Sequence, residues 1–200
     1  MRRVPAFVTA IFPAFLLALA PIHAAAAAEA EEFPSAATSL EPGQFVWRPD
    51  RAARGEVEIV VSLPLQTIYV YRGGTLIGVS TASTGRAGYE TPVGRFAILQ
   101  KNRDHRSNLY DDAPMPFMQR LTWDGIALHG GEIPGYPASH GCIRLPARFA
   151  RNLFAATELG AAVHVIDAAP AGAEDALALA RGADAYGGMG GPEPGLDDGD

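Results

Sequence analysis

The sequence is nearly without cysteine and lysine: among its 200 residues, Cys142 is the one thiol and Lys101 the one lysine. One thiol excludes an internal disulfide framework. It leaves a buried apolar filler, an intermolecular bridge or a reactive group. Positive charge rests almost wholly on arginine and forms no basic stripe, so the surface that nucleic acid needs is missing. Long helices are also disfavoured, because 16 prolines and 22 glycines break the chain into short elements joined by turns. The net charge of −6 is local. Asp184, Glu193, Asp197, Asp198 and Asp200 follow the last arginine, and without them the body is close to neutral.

What is present begins with an address. Arg2 and Arg3 precede an apolar stretch, residues 7–20, broken only by Thr9 and Pro13, and alanines 24–28 follow. Positive, apolar, then small is the order of a secretory signal. The stretch is short for a membrane span, which needs about 20 apolar residues, and Pro13 interrupts it. Residues 1–28 therefore read as a signal peptide, with an uncleaved anchor as the alternative. The reading places the domain outside the cytoplasm, in the periplasm or cell envelope, with no stable membrane span after cleavage. Residues 29–55, with Pro34, Pro42, Gly43 and Pro49, read as a linker.

The body spans residues 56–168. Val57, Ile59 and Val61 alternate with period two, and residues 67–72 are β-branched and aromatic. Gly73-Gly74 between two such runs predicts a hairpin, whose tight turn needs positive φ. Residues 94–100, 125–129 and 163–166 are further strand candidates. One helix is expected, with Pro146 at its start, Phe149 and Leu153 four apart on one face, and Gly160 as its stop. Residues 169–200 change texture: a short helix is compatible with 173–181, and 187–200 is Gly, Pro and acid, the composition of a disordered tail. The expectation is a mainly β domain with one short helix.

The chemistry concentrates in residues 127–146, A-L-H-G-G-E-I-P-G-Y-P-A-S-H-G-C-I-R-L-P. A nucleophilic thiol needs a base, because the free group titrates near 8.5. His129 and His140 are the candidates. His129 ends an apolar strand and a Gly/Pro loop returns from it to Cys142, while His140 lies two positions from the thiol. Gly141 leaves the backbone N–H groups beside Cys142 accessible to a developing oxyanion. The Gly130 carbonyl is placed to orient a neighbouring imidazole. A zinc site from His129, His140 and Cys142 is a weaker alternative, since only His140 and Cys142 have ligand-pair spacing.

S-H-G-C-I-R-L at 139–145, L-H-G at 128–130 and T-P-V-G-R-F at 91–96, in this order and spacing, resemble the L,D-transpeptidase catalytic domain family, the YkuD-like family. The hairpin at 65–73 is similar to that family's opening strands. The resemblance implies a β-sandwich-like domain with a small helix and no cofactor or metal. It implies that Cys142 attacks the carbonyl of the third residue of a peptidoglycan stem peptide, a diamino acid, with terminal D-Ala leaving to give a thioester. His129 would take the thiol proton, Gly130 would orient it, and N–H groups near His140, Gly141 and Cys142 would hold the oxyanion. Ser139 would shape the loop. Arg144 stands where some members carry Asn, and either holds a stem carboxylate or packs structurally.

Tyr136, Tyr89, Tyr110, Phe117 and Trp123 are candidates to line the groove, with core packing as the other reading. Residues 102–116 form either a lid or a solvated loop. His105 and His164 read as structural or exposed. The acyl acceptor, whether an amine for cross-linking, a lipoprotein lysine or water, is not written in these residues. A non-catalytic wall-binding scaffold on the same fold is the rival of a different class, and a metal-dependent peptidase the third.

Overall fold

The computed structural model describes residues 40–107 and 112–187. In chain order the elements are β1 (Phe45–Trp47), a 3-10 turn (Pro49–Arg51), β2 (Val57–Ser62), β3 (Thr67–Arg72), β4 (Thr75–Thr81), β5 (Gly94–Ala97), β6 (Gln100–Arg106), β7 (Pro114–Arg120), β8 (Ala127–Gly130), β9 (Ile143–Leu145), α1 (Ala147–Ala156), β10 (Ala162–Ile166) and α2 (Ala173–Gly187). They form a six-stranded sheet, ordered β1-β4-β3-β2-β10-β5, and a four-stranded sheet, ordered β6-β7-β8-β9. The mainly β, two-sheet architecture is the expected one. It carries the one helix expected in the body, and a second after it where the sequence allowed a short one.

The six-stranded sheet is apolar on both faces, and the alternation of β2 says why. Val57, Ile59 and Val61 join Val70, Val163, Phe149 and Leu153 in the central core. Val60 joins Tyr69, Tyr71 and Val79 in a second cluster on the opposite face. A strand buried on both sides reads as a near-continuous apolar run. The β3–β4 turn is Gly73-Gly74 with φ of 56° and 81°, the primed turn that only small residues accept readily.

Two expectations are corrected. The linker reading of 29–55 fails over its described part. Phe45, Val46 and Trp47 pair with Ser80, Val79 and Gly78 of β4. The cause is aromatic burial: the Phe45 and Trp47 rings lie 5.5 and 5.4 Å from the Phe149 ring. The disordered-tail reading of 169–200 gives way over 173–187 to a helix that covers the short one allowed at 173–181 and continues to Gly187. Ala173, Ala176 and Ala180 recur on one face of α2 and pack on the second cluster, where the Tyr71 hydroxyl donates to the Ala173 carbonyl. Alanine allows the helix to lie close to the sheet. Residues 1–28, the expected signal, and 188–200 lie outside the described residues. Among the described residues no helix is long and apolar enough to cross a membrane.

The four-stranded sheet turns one face to the central core through Leu128, Ile143, Leu145 and α1. Lys101 anchors it. Its ammonium donates to the Phe154 and Thr157 carbonyls at 2.7 and 2.6 Å, at the end of α1 where carbonyls lack helical partners. The other face carries the site.

Candidate active site

Strand register builds this site. Arg120 faces Ala127 across β7 and β8, and Gln119 faces Leu128. Parallel pairing sets Leu128 beside Ile143 and His129 beside Arg144. Residues opposite one another share a face, and successive residues alternate. Continuing both registers by one residue gives two adjacent rows on one face. The first is Arg120, Ala127 and Cys142; the second is Met118, His129 and Arg144. All six line one cavity of about 770 Å³. The intervening Leu128 and Ile143 point into the core.

A backbone irregularity extends this wall. Phe117 has φ of 58°, rare for a bulky residue, and its pairing with Arg103 is missing from the β6–β7 ladder. Met115 and Met118 are three residues apart and would face opposite sides of a regular strand. Here both line the cavity, together with His105 and Ser107 of the hairpin. Residues 102–116 thus supply a wall, with 108–111 outside the described residues. His105, read from sequence as structural or exposed, belongs to the cavity lining.

The loop before β9 is held by Ser139. Its hydroxyl donates to the Cys142 carbonyl at 2.5 Å and accepts the Gly141 N–H at 3.1 Å. Gly141 has φ of 109°, and a Cβ there would stand 2.7 Å from Ile126 Cδ1. The Gly141 carbonyl accepts from buried Thr91 Oγ1 at 2.7 Å, and Thr91 Oγ1 in turn accepts the Gly85 N–H. The T-P-V-G-R-F segment therefore braces the cysteine loop from behind. One expectation changes here: the Gly141 N–H is given to the Ser139 hydroxyl.

His129 is buried, and its Nδ1 lies 2.9 Å from the Gly130 carbonyl. A carbonyl only accepts, so Nδ1 carries the proton and Nε2 is left as a base. Burial pushes the imidazole down from 6.5 to about 4, against the Gly130 bond and helped by the charges of Arg144 and His105. Cys142 packs against Met115, Met118 and Ala127. Burial raises its thiol, opposed by Ala127, Arg144 and Arg120. The resting pair is therefore neutral thiol and neutral imidazole. The S–H is directed at the Gly125 carbonyl, 3.4 Å away.

Other expected residues divide. Arg144 and His140 line the cavity, and His140 also meets the Tyr89 ring edge-on at 4.7 Å. The structure does not bring Tyr136 to the cavity. The residue is 62% exposed, and among the described residues its carbonyl is engaged by Ser83. Trp123, 75% exposed, and Tyr89 are likewise outside the lining, and Phe117 packs on Phe154. Tyr110 lies outside the described residues. Methionines, in place of aromatics, floor the site. Among the described residues no group of three or more His, Cys, Asp or Glu side chains is placed to hold a metal ion.

A family model described as the L,D-transpeptidase catalytic domain matches residues 56–165. L,D-transpeptidase 1 of Mycobacterium tuberculosis is 30% identical over 123 residues, 54% of this chain and 49% of that protein. The chain thus spans about half the length of the curated relatives it matches. A crystal structure of an L,D-transpeptidase from the same organism superposes with a TM-score of 0.53 at 28% identity, over 56% of this chain and 57% of that one. L,D-transpeptidase 3 of M. tuberculosis, in complex with a faropenem-derived adduct, gives 0.52 at 27% identity over 55% and 60%. With over half its length matched by the family model, the chain belongs to the L,D-transpeptidase catalytic domain family.

Proposed function

We propose that this protein is a peptidoglycan L,D-transpeptidase, an acyltransferase with Cys142 as nucleophile and His129 as base. The observation that carries the reading is the Nδ1 contact of His129 with the Gly130 carbonyl, in one cavity with Cys142. It leaves Nε2 unprotonated and able to take a thiol proton. In the first half-reaction the thiol leaves Gly125 and gives its proton to Nε2. Sulfur bonds to the carbonyl carbon of the third stem residue, and N–H groups of the loop around His140 and Cys142 take the oxyanion. The carbon–nitrogen bond then breaks. Terminal D-Ala departs with the proton from Nε2, leaving a thioester. In the second half an acceptor amine bonds to the same carbon and yields a proton to Nε2, and the thiolate leaves and is reprotonated. Ser139 keeps the loop in shape, and Arg144 contacts a carboxylate of the stem.

The same thioester serves cross-linking, tethering to a lipoprotein lysine, or hydrolysis. We take cross-linking, in cell-wall biogenesis and cell shape, as the function. Export by residues 1–28 to the periplasm or cell envelope accords with that substrate. The test is intact-mass spectrometry of reduced protein with and without a carbapenem, beside Cys142→Ala. A covalent adduct on wild type alone is expected. An adduct on both proteins, or on neither while folded, would remove Cys142 from this role.

A further inference from the structure

Arg72, Arg106 and Arg181 each meet a carboxylate or a backbone carbonyl. Arg181 reaches Glu58 at 2.7 Å, and Arg106 reaches Asp112 at 3.0 Å. Arg72 is given to the Pro49 and Ala52 carbonyls. The two guanidinium groups in the cavity differ. Arg120 and Arg144 are half-buried, and among the described residues neither has a carboxylate partner. A cation withdrawn from water without a counter-charge is costly, and the cost falls when an anion occupies the space beside it.

Register fixes where these charges stand. Arg120 shares its row with Cys142 and Arg144 shares its row with His129, so the arginines occupy opposite corners of the patch that holds the thiol and the imidazole. Arg120 lies two strands from Cys142, about 10 Å between backbones, a gap its long side chain spans in part. Gln100 Oε1 accepts its Nε–H at 2.8 Å, which steadies the guanidinium and leaves both terminal nitrogens for a ligand. The cavity's own carboxylates, Asp124 and Glu132, are exposed in the loops that flank β8.

We propose that Arg120 is a specificity-determining residue that binds a carboxylate of the acyl donor, on the opposite side of the thiol and imidazole from Arg144. The inference rests on the transpeptidase reading and adds a requirement to it: the donor presents an anion on each side of the reacting pair. Two carboxylates of a stem peptide qualify. One is the free carboxylate of the C-terminal residue that leaves. The other is the second carboxylate of a diamino acid that carries one on its side chain.

The experiment measures kcat/KM for thioester formation with three synthetic donors: the complete stem, its C-terminal amide, and a stem with lysine in place of the diamino diacid. Wild type is expected to prefer the complete stem over at least one truncated donor by about 10- to 100-fold, the worth of a charge-assisted hydrogen bond. Arg120→Gln should bring one of those ratios close to unity, and which ratio collapses identifies the carboxylate. Arg120→Lys should keep part of the preference, and Arg144→Gln should leave the Arg120-dependent ratio standing. Ratios taken within one variant cancel any change in thiol reactivity caused by losing a nearby charge. If Arg120→Gln keeps the wild-type preferences, or wild type takes all three donors equally, the assignment is overturned while the transferase reading stands. If a folded, reduced wild type forms no thioester with any donor, both are overturned.

Discussion

Two histidines are buried among the described residues, and their surroundings are opposite. His164, on β10, faces Glu58 of β2 at 3.1 Å, and the second oxygen of Glu58 faces Arg181 of α2 at 2.7 Å. Burial pushes the Glu58 carboxyl up, but the bond and charge of Arg181, with those of His164, outweigh it and hold the group below its usual range. Charge is settled within the fold, under a helix. Among the described residues His129, on β8, has only the Gly130 carbonyl as a partner, with Arg144 and His105 adding positive potential. Among the described residues the nearby guanidiniums have no carboxylate partner. The first patch is matched within the fold, whereas the second, among the described residues, sets a base and two guanidinium groups together without a carboxylate partner. That contrast separates two histidines which look alike by burial.

Exchanging the histidines tests it most sharply. His129→Gln should lower the rate of Cys142 acylation by about 10²- to 10⁴-fold, the usual worth of a positioned acid–base group. His164→Gln should stay within about threefold of wild type, its cost falling on stability because a buried partner of Glu58 is lost. Carbapenem acylation followed by mass provides both rates. Equal losses in two folded variants would break the comparison.

The next effect is on stability in acid. The folded pKa of His129, about 4, lies below the ordinary 6.5, so the unfolded chain binds the proton first. Its contribution to stability is complete above pH 6.5 and is lost as pH falls toward 4. It amounts to about 3 kcal/mol between pH 7 and pH 4. Urea unfolding at the two pH values should show that difference shrinking by about this amount in His129→Gln. An unchanged difference would mean that His129 can be protonated in place.

Much of this site was legible in the sequence because it depends on local order. Cys142 is the one thiol, and the turn that carries it is closed within the motif, by Ser139 on Gly141 and Cys142, and braced by Thr91. The Gly73-Gly74 turn was equally local. What escaped depends on pairing. β1 is three residues long between prolines, and only its partner β4 and the Phe149 ring make it a strand. His105 and Met115 enter the cavity because Phe117 adopts a left-handed φ, which no residue preference announces for phenylalanine. Arg120 acquires its place only once the β7–β8 register is known. Tyr136 failed for the reverse reason: it sits close to the motif in sequence, but its ring turns to solvent.

The smallest effect belongs to the settled patch. Arg181 is 56% exposed, so its pair with Glu58 is screened by water despite the short distance. Arg181→Ala should therefore cost at most about 1 kcal/mol in urea unfolding and should leave carbapenem acylation unchanged. Glu58→Gln should cost more, because Glu58 is only 19% exposed and also faces buried His164. A loss well above that bound in Arg181→Ala would mean that the ion pair, and not Ala173, Ala176 and Ala180, holds α2 on the sheet. The patch would then be a fastening of the helix, and its internal charge balance a requirement of docking. The difference between the two histidines would still mark His129 as the one whose neighbours leave charge unmatched.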